Sequence, residues 1–173
     1  MRVSDNLLAD LLSHHAVCIE RRIPMATSPM IPNVDVAVTL IVHGSHILAV
    51  YNPNWDQFTL PMTKRRHWQD PNVPASKRDE QWVDAAARAA AQWLGRTCFP
   101  EPEFLYDLAG FEQSDRDGIW KRYDFRVFRV RIEQREGIRS GEISEWLSAE
   151  DFLDARRVPI AESARSIIAR LRT

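Results

Sequence analysis

Residues 60–95 read LPMTKRRHWQDPNVPASKRDEQWVDAAARAAAQWLG, and the end of this stretch decides how the rest of the chain is interpreted. Its last part is dominated by alanine and tryptophan and finishes on Gly95, which predicts a helix with a glycine stop. Four polar residues recur at intervals of four along it: Glu80, Asp84, Arg88 and Gln92. Because residues i and i+4 share one helical face, this spacing predicts a polar line. That line could carry a site, or Asp84 and Arg88 could simply form an ion pair that stabilises the helix.

The segments around this helix predict a sheet with helices packed on it. Residues 34–42 are rich in β-branched side chains and lead through a glycine-containing turn into the apolar run 46–51, which predicts a β-hairpin. Four further segments have strand-like composition: 55–60, 104–111, 123–132 and 142–147. Short helices are expected from residues 148 and 160 onward. This order favours an α+β or mixed α/β fold.

Two regions do not fit a strand or a helix pattern. Residues 64–80 are polar and contain Pro71 and Pro74, so we expect a long loop there. Residues 1–33 combine a leucine stripe on a short helix with a proline-containing connector. We therefore expect one domain over 34–173, preceded by an N-terminal helix and connector that pack on it.

Composition and charge argue against some functions. The 173-residue chain has a formal net charge of −1, which gives no strong case for nucleic acid through bulk charge but leaves local basic patches open. No segment approaches the roughly 20 apolar residues that cross a bilayer, and the N-terminus lacks a signal peptide's apolar run. We expect a cytoplasmic protein without membrane contact, with Cys18 and Cys98 as buried free thiols. The leucine stripe leaves a homodimer open.

The order of these pieces resembles the Nudix hydrolase family. Its signature is G-x5-E-x7-R-E-U-x-E-E-x-G-U, where U is a bulky aliphatic residue. Glu80, Arg88 and Gly95 stand at the spacings of the first glutamate, the arginine and the late glycine, and Leu60-Pro61 resembles the Leu-Pro that precedes the signature. The resemblance covers roughly residues 34–171 and implies an α/β/α sandwich with a mixed central sheet and helices on both faces. It also implies hydrolysis of a nucleoside diphosphate linked to another group, with Mg²⁺ or Mn²⁺.

The departures from the signature concern the residues that matter for that chemistry. The three glutamates that follow the signature arginine are replaced by Ala89, Gln92 and Trp93. Divalent cations such as Mg²⁺ need anionic oxygen ligands, whereas alanine and tryptophan offer none and glutamine offers only a neutral carbonyl. We therefore expect a degenerate signature, no ordinary Nudix hydrolysis and no resident cofactor.

Three functions follow from these observations. The first is binding of a phosphorylated small molecule, a nucleotide or a partner, and its candidate residues are Trp55, Lys64, Arg65, Arg66, Arg88 and Gln92. The second is a divergent hydrolase with a relocated Mg²⁺ or Mn²⁺ site, whose candidates are Glu80, Asp84, Glu142 and Glu145. The third is a structural or interaction protein. Clustered cations beside a cleft suit phosphate, which favours the first function.

Overall fold

A mixed seven-stranded sheet forms the centre of the computed structural model, which describes residues 31–70, 72–114, 117–135, 142–154, 156 and 158–171. The strands are β1 (Asn33–His43), β2 (His46–Asn52), β3 (Gln57–Thr59), β4 (Met62–Lys64), β5 (His67–Asp70), β6 (Val73–Asp79), β7 (Glu103–Gln113), β8 (Trp120–Arg131) and β9 (Ser144–Ser148). The helices are α1 (Trp82–Leu94), α2 (Ala149–Leu153) and α3 (Glu162–Arg170). The predicted N-terminal helix and Cys18 lie outside the described residues.

The sheet is built around a parallel pair. β1 and β8 run side by side from Asn33↔Arg122 to Val42↔Arg131, and the strand order is β3-β2-β1-β8-β7. The short strand β4 also pairs with β1, and β9 pairs with β2, both antiparallel. β1 and β2 form the predicted hairpin, which turns at Gly44 with a φ of 58°.

Helices cover both faces of the sheet, as the resemblance implied. On one face Ala37 and Phe128 pack against the alanines of α1, and on the other Val38 and Val127 pack with Phe152 and the residues of α3. Alternate residues of each central strand point to opposite faces, so both sets must be apolar when both faces are buried. The α/β/α sandwich with a mixed sheet is therefore confirmed.

The helix α1 lies close to the sheet because its inner face is made of alanine. Ala85, Ala86, Ala89 and Ala90 are fully buried, and the hydroxyl of Thr39 donates a hydrogen bond of 2.9 Å to the Ala86 carbonyl. The helix ends at Leu94, where the Gly95 N–H donates to the Ala91 carbonyl with the glycine at a φ of 61°. A left-handed C-terminal residue favours glycine because it has no Cβ.

Two local predictions are wrong. Residues 64–80 do not form a loop, since β5 and β6 make an antiparallel two-stranded ribbon with His67 opposite Asp79 and Trp68 opposite Arg78. A ribbon with two polar faces shows no apolar alternation, which is the signal that a strand prediction needs. Cys98 is exposed rather than buried, because it lies in the irregular segment after α1. No helix among the described residues is long and apolar enough to cross a membrane.

Candidate ligand-binding site

The first glutamate of the signature-like stretch is bound to its arginine. Glu80 is only 8% exposed; its Oε1 accepts from Arg88 Nε at 3.0 Å, and its Oε2 accepts from Arg88 Nη2 at 2.8 Å. The backbone N–H of Arg66 donates to the same Oε2 at 2.9 Å. The hydrogen bonds from Arg88 are the main reason that the pKa of Glu80 lies below its usual range, with the Arg66 N–H adding to the effect.

Arg88 also joins α1 to the strand in front of it. Its Nη1 donates to the Thr63 hydroxyl at 2.6 Å and its Nη2 to the Lys64 carbonyl at 2.9 Å, so the guanidinium links α1 to β4. This use of Arg88 differs from the i, i+4 pair with Asp84 that the spacing suggested. The bidentate ion pair between Glu80 and Arg88 is stronger than an exposed ion pair along one helix would be. Asp84 itself is exposed.

The three positions where the signature has metal-binding glutamates contribute little to a polar site. Ala89 is fully buried against the sheet, and Gln92 is exposed. Trp93 is partly buried and packs against the apolar cluster that contains Ile41, Leu48 and Val50. These residues serve packing or face solvent, and none of them supplies an anionic oxygen.

The residues present do not fit the divalent cation that the fold implies. No group of three His, Cys, Asp or Glu side chains suited to a metal ion exists within the described part of the chain. The candidates for a relocated site are accordingly not gathered together: Glu80 is bound to Arg88, whereas Asp84, Glu142 and Glu145 are exposed. Glu145 lies in β9, opposite Ala49 of β2. No step through a bound metal can be derived from this arrangement.

An open cavity of about 1070 Å³ lies on the face of the sheet that carries α3. Its lining includes four aromatic residues, namely Trp55, Phe111, Tyr123 and Phe125, together with Lys64 and Lys121. Acidic and uncharged polar residues also line it: Glu112, Asp117, Glu162, Asn52, Asn54, Gln57, Thr63, Gln113, Ser114 and Ser163. Trp55 is 39% exposed, so its ring is accessible to a ligand, whereas the Phe111 ring stacks on Trp120.

The charges in this cavity are only partly neutralised within the protein. Lys121 donates to Asp117 at 2.5 Å and to the Ser114 hydroxyl at 3.1 Å. That contact with Lys121 is the largest cause that lowers the pKa of Asp117 to about 2. Lys64 is exposed at the cavity and forms no ion pair within the described residues. The cavity therefore presents the Lys64 ammonium group beside the accessible ring of Trp55, and its lining also includes the carboxylates of Glu112 and Glu162.

Only some of the predicted ligand-binding residues line the cavity. Trp55 and Lys64 line the cavity, whereas Arg88 lies behind its wall and contacts Thr63, which is a lining residue. Arg65 does not line the cavity and is held by other contacts. Its Nη1 contacts Asp35 at 3.3 Å, its Nε donates to the Glu80 carbonyl and its guanidinium lies over the Trp82 ring. Two further predicted residues are exposed and are not among the lining residues: Arg66 and Gln92.

The sequence reasoning missed Phe111, Lys121 and Tyr123. These residues belong to β7 and β8, which pair antiparallel with Phe111 opposite Arg122 and Glu112 opposite Lys121. Because directly opposed residues share a face, this register puts Lys121 and Tyr123 on one face and the Phe111 side chain on the other, where its ring stacks on Trp120. Both strands were predicted, so their pairing register was the signal that could have found Lys121 and Tyr123.

The comparisons with solved structures agree with this architecture. No protein-family profile and no curated protein matches the sequence. The MutT protein from Methanosarcina mazei Go1 is similar at 17% identity and a TM-score of 0.58, over 83% of this chain and 95% of that one. A MutT NUDIX hydrolase from Burkholderia pseudomallei has 14% identity and a TM-score of 0.53, over 80% and 98%. The Ap4A hydrolase of C. elegans, as a binary complex, has 15% identity and a TM-score of 0.54, over 80% and 95%. The chain has the Nudix fold.

Proposed function

We propose that this chain is a Nudix-fold binding protein that holds a nucleotide-like phosphorylated ligand in the 1070 Å³ cavity without cleaving it. The observation that carries the proposal is a contrast between two parts of the fold. The cavity is open and combines aromatic residues with the ammonium group of Lys64, whereas the signature-like helix presents Ala89, Gln92 and Trp93 where glutamates would bind metal.

The chemistry of the cavity suits a ligand with a planar ring and a phosphate. Trp55 offers an accessible aromatic face, on which a nucleobase can stack. Lys64 supplies an ammonium group for phosphate oxygens, and the side-chain amides of Asn52 and Gln57 can pair with the edge of a base. A pocket of this kind, mostly preformed with a few polar groups, is typical of small-molecule sites.

The absence of hydrolysis follows from electrostatics. Water attack on a pyrophosphate needs the charge on its oxygens to be neutralised, which hard divalent cations normally do. Glu80 cannot readily take that cation, because both of its oxygens already accept hydrogen bonds from Arg88 or from the Arg66 N–H. The protein would bind its ligand with lysine and backbone donors, so binding should not require Mg²⁺ or Mn²⁺.

Ligand binding is tested by calorimetry with nucleoside mono-, di- and triphosphates in the presence of EDTA. We expect at least one of them to bind, and we expect Trp55→Ala and Lys64→Ala each to weaken it about tenfold. Arg131→Ala, which removes one exposed charge from another part of β8, is the matched control and should bind normally. Binding that is equal in all three variants would show that the ligand sits elsewhere.

Catalysis is tested separately, by incubating the same compounds with Mn²⁺ and measuring release of phosphate or monophosphate. We expect no turnover above that of buffer. Turnover that is abolished by Asp84→Asn or Glu145→Gln would establish the divergent hydrolase instead. Those two residues are preferred to Glu80 for this test, because both are exposed and their substitution does not disturb the pair with Arg88.

A further inference from the structure

The two faces of the ribbon formed by β5 and β6 carry different side chains. On the inner face His67 lies 2.8 Å from Asp79 and 3.8 Å from Asp35, and Arg65 contacts the same Asp35. Because side chains alternate along a strand, a residue next to one that faces Asp35 points away from it. Arg66 and Trp68 therefore lie on the outer face of the ribbon.

Arg78 completes this outer face. It is paired directly with Trp68 across the ribbon, and the backbone of Arg66 is bonded to that of Glu80, which continues the same ladder. Directly opposed residues have Cβ atoms about 4.5–5.5 Å apart and diagonal ones about 7–8 Å, so Arg78 is the immediate neighbour of Trp68 and Arg66 lies diagonally from Arg78. The buried side chain of Glu80 shares this face with Arg66. We name this set Arg66, Trp68 and Arg78 the outer stripe.

The outer stripe is accessible to solvent. Trp68 is 45% exposed, and both arginines are exposed. Neither arginine forms a salt bridge within the described part of the chain, although the charge of Arg66 helps to lower the pKa of Glu80, whose salt bridge is with Arg88. An indole and two guanidinium planes on a narrow ribbon thus form a positively charged surface with π faces.

We propose that the outer stripe binds single-stranded nucleic acid. Such partners alternate phosphate charges with flat bases, and proteins bind them through cationic grooves and aromatic side chains on which bases stack. Arginine fits both tasks, since it pairs with phosphate and stacks on rings. An acidic peptide would match the charges but offers no regular series of rings to the indole. A membrane surface would need a wider apolar face than one indole provides. The low net charge of the chain conceals this local patch.

The experiment measures fluorescence anisotropy of a labelled oligo(dT) and a labelled oligo(U) with the full chain at several salt concentrations. We expect Trp68→Ala to weaken binding about 5- to 150-fold, which corresponds to the loss of one stacked base. Trp68→Phe should retain part of the affinity. Arg66→Gln with Arg78→Gln should reduce the slope of log K against log salt by about 1.4, because two phosphate contacts are lost.

The controls separate the effect of losing a positive charge anywhere from the effect of losing it in the outer stripe. Lys77→Gln removes a cation from the opposite face of the same ribbon, and Arg131→Gln removes one far along β8, so each should change affinity at most about twofold. Trp55→Ala in the cavity should leave oligonucleotide affinity unchanged, which separates this proposal from the cavity ligand. Equal losses from all charge variants, no effect of Trp68→Ala, or binding only to phosphatidylserine vesicles would each overturn the proposal. Unchanged circular dichroism and melting temperature would show that the variants are folded.

Discussion

The pair between Glu80 and Arg88 gives the sharpest test of how this fold is held together. Arg88→Met keeps the aliphatic stem but removes four hydrogen bonds, two to Glu80 and one each to Thr63 and Lys64. Removing one partner of a buried ion pair costs about 3–5 kcal/mol, mostly because the other charge is left without a partner. Arg88 is 28% exposed and Glu80 8%, so water can solvate part of the vacated space. We therefore expect the free energy of unfolding to fall by about 2–4 kcal/mol.

The assay is urea unfolding of four proteins, namely the wild type, Arg88→Met, Glu80→Gln and the double variant. The sum of the two single losses in unfolding free energy should exceed the loss in the double variant. The second substitution removes a group that the first has already left unpaired, so it costs less in the double variant than alone. Arg131→Met is the control for an exposed arginine and should cost less than about 0.5 kcal/mol. A loss of that same small size for Arg88→Met would refute the reasoning.

The pH dependence of the same pair has a definite direction. The pKa of Glu80 is lowered in the folded protein from 4.5, mainly by Arg88, so the unfolded chain takes up a proton first as the pH falls. The stabilisation by Glu80 is then fully present above about pH 4.5 and is lost as the pH falls through the lowered pKa. The difference in unfolding free energy between the wild type and Glu80→Gln should shrink between pH 6 and pH 3. A difference that stays constant over this range would contradict the assignment.

Three smaller predictions concern single groups. Asp117 should titrate near pH 2 in a carboxyl-detected NMR experiment, and its pKa should rise towards 3.8 in Lys121→Met, since Lys121 is the main cause of the shift. Tyr106 should ionise near pH 12 in an ultraviolet titration because burial raises its pKa, and Tyr106→Phe should cost about 1 kcal/mol through loss of the hydrogen bond to the Ile167 carbonyl. Gly95→Ala should lower the free energy of unfolding by about 1–2 kcal/mol, because a Cβ is strained at a φ of 61°; a melting curve identical to that of the wild type would contradict this last prediction.

The fold could be predicted because its signals are local. The β-branched run before Gly44 and the alanine-rich helix that ends at Gly95 each reflect a preference that short segments express by themselves. The ribbon of residues 67–79 could not be predicted in this way, because its strands are held by pairing such as His67 with Asp79 and carry no apolar alternation. Neither could the partner of Arg88 be inferred, because Glu80 is eight residues away and reaches it only through the turn before α1.

The candidate site was predicted less completely for a related reason. Trp55 and Lys64 were found because an aromatic residue and a cation near a turn stand out in a sequence. Lys121 and Tyr123 look like ordinary strand residues until the register of β7 against β8 places them on the same face, at the cavity. A cavity is a property of several elements together, so it becomes visible only when their relative positions are known.

The stretch from Leu60 to Gly95 contains two kinds of signature position, which differ in whether the fold depends on them. Glu80 and Arg88 bind each other and hold α1 against the segment before it, and Gly95 caps its end. Losing any of these residues would therefore destabilise the fold. The glutamates of the signature would add carboxylates at Ala89, Gln92 and Trp93, where no structural contact requires a charge. Placing alanine and tryptophan there instead adds apolar packing against the sheet, which is favourable by about 25 cal/mol for each Å² buried. Replacing the signature glutamates by these residues can thus keep the fold and add to its stability.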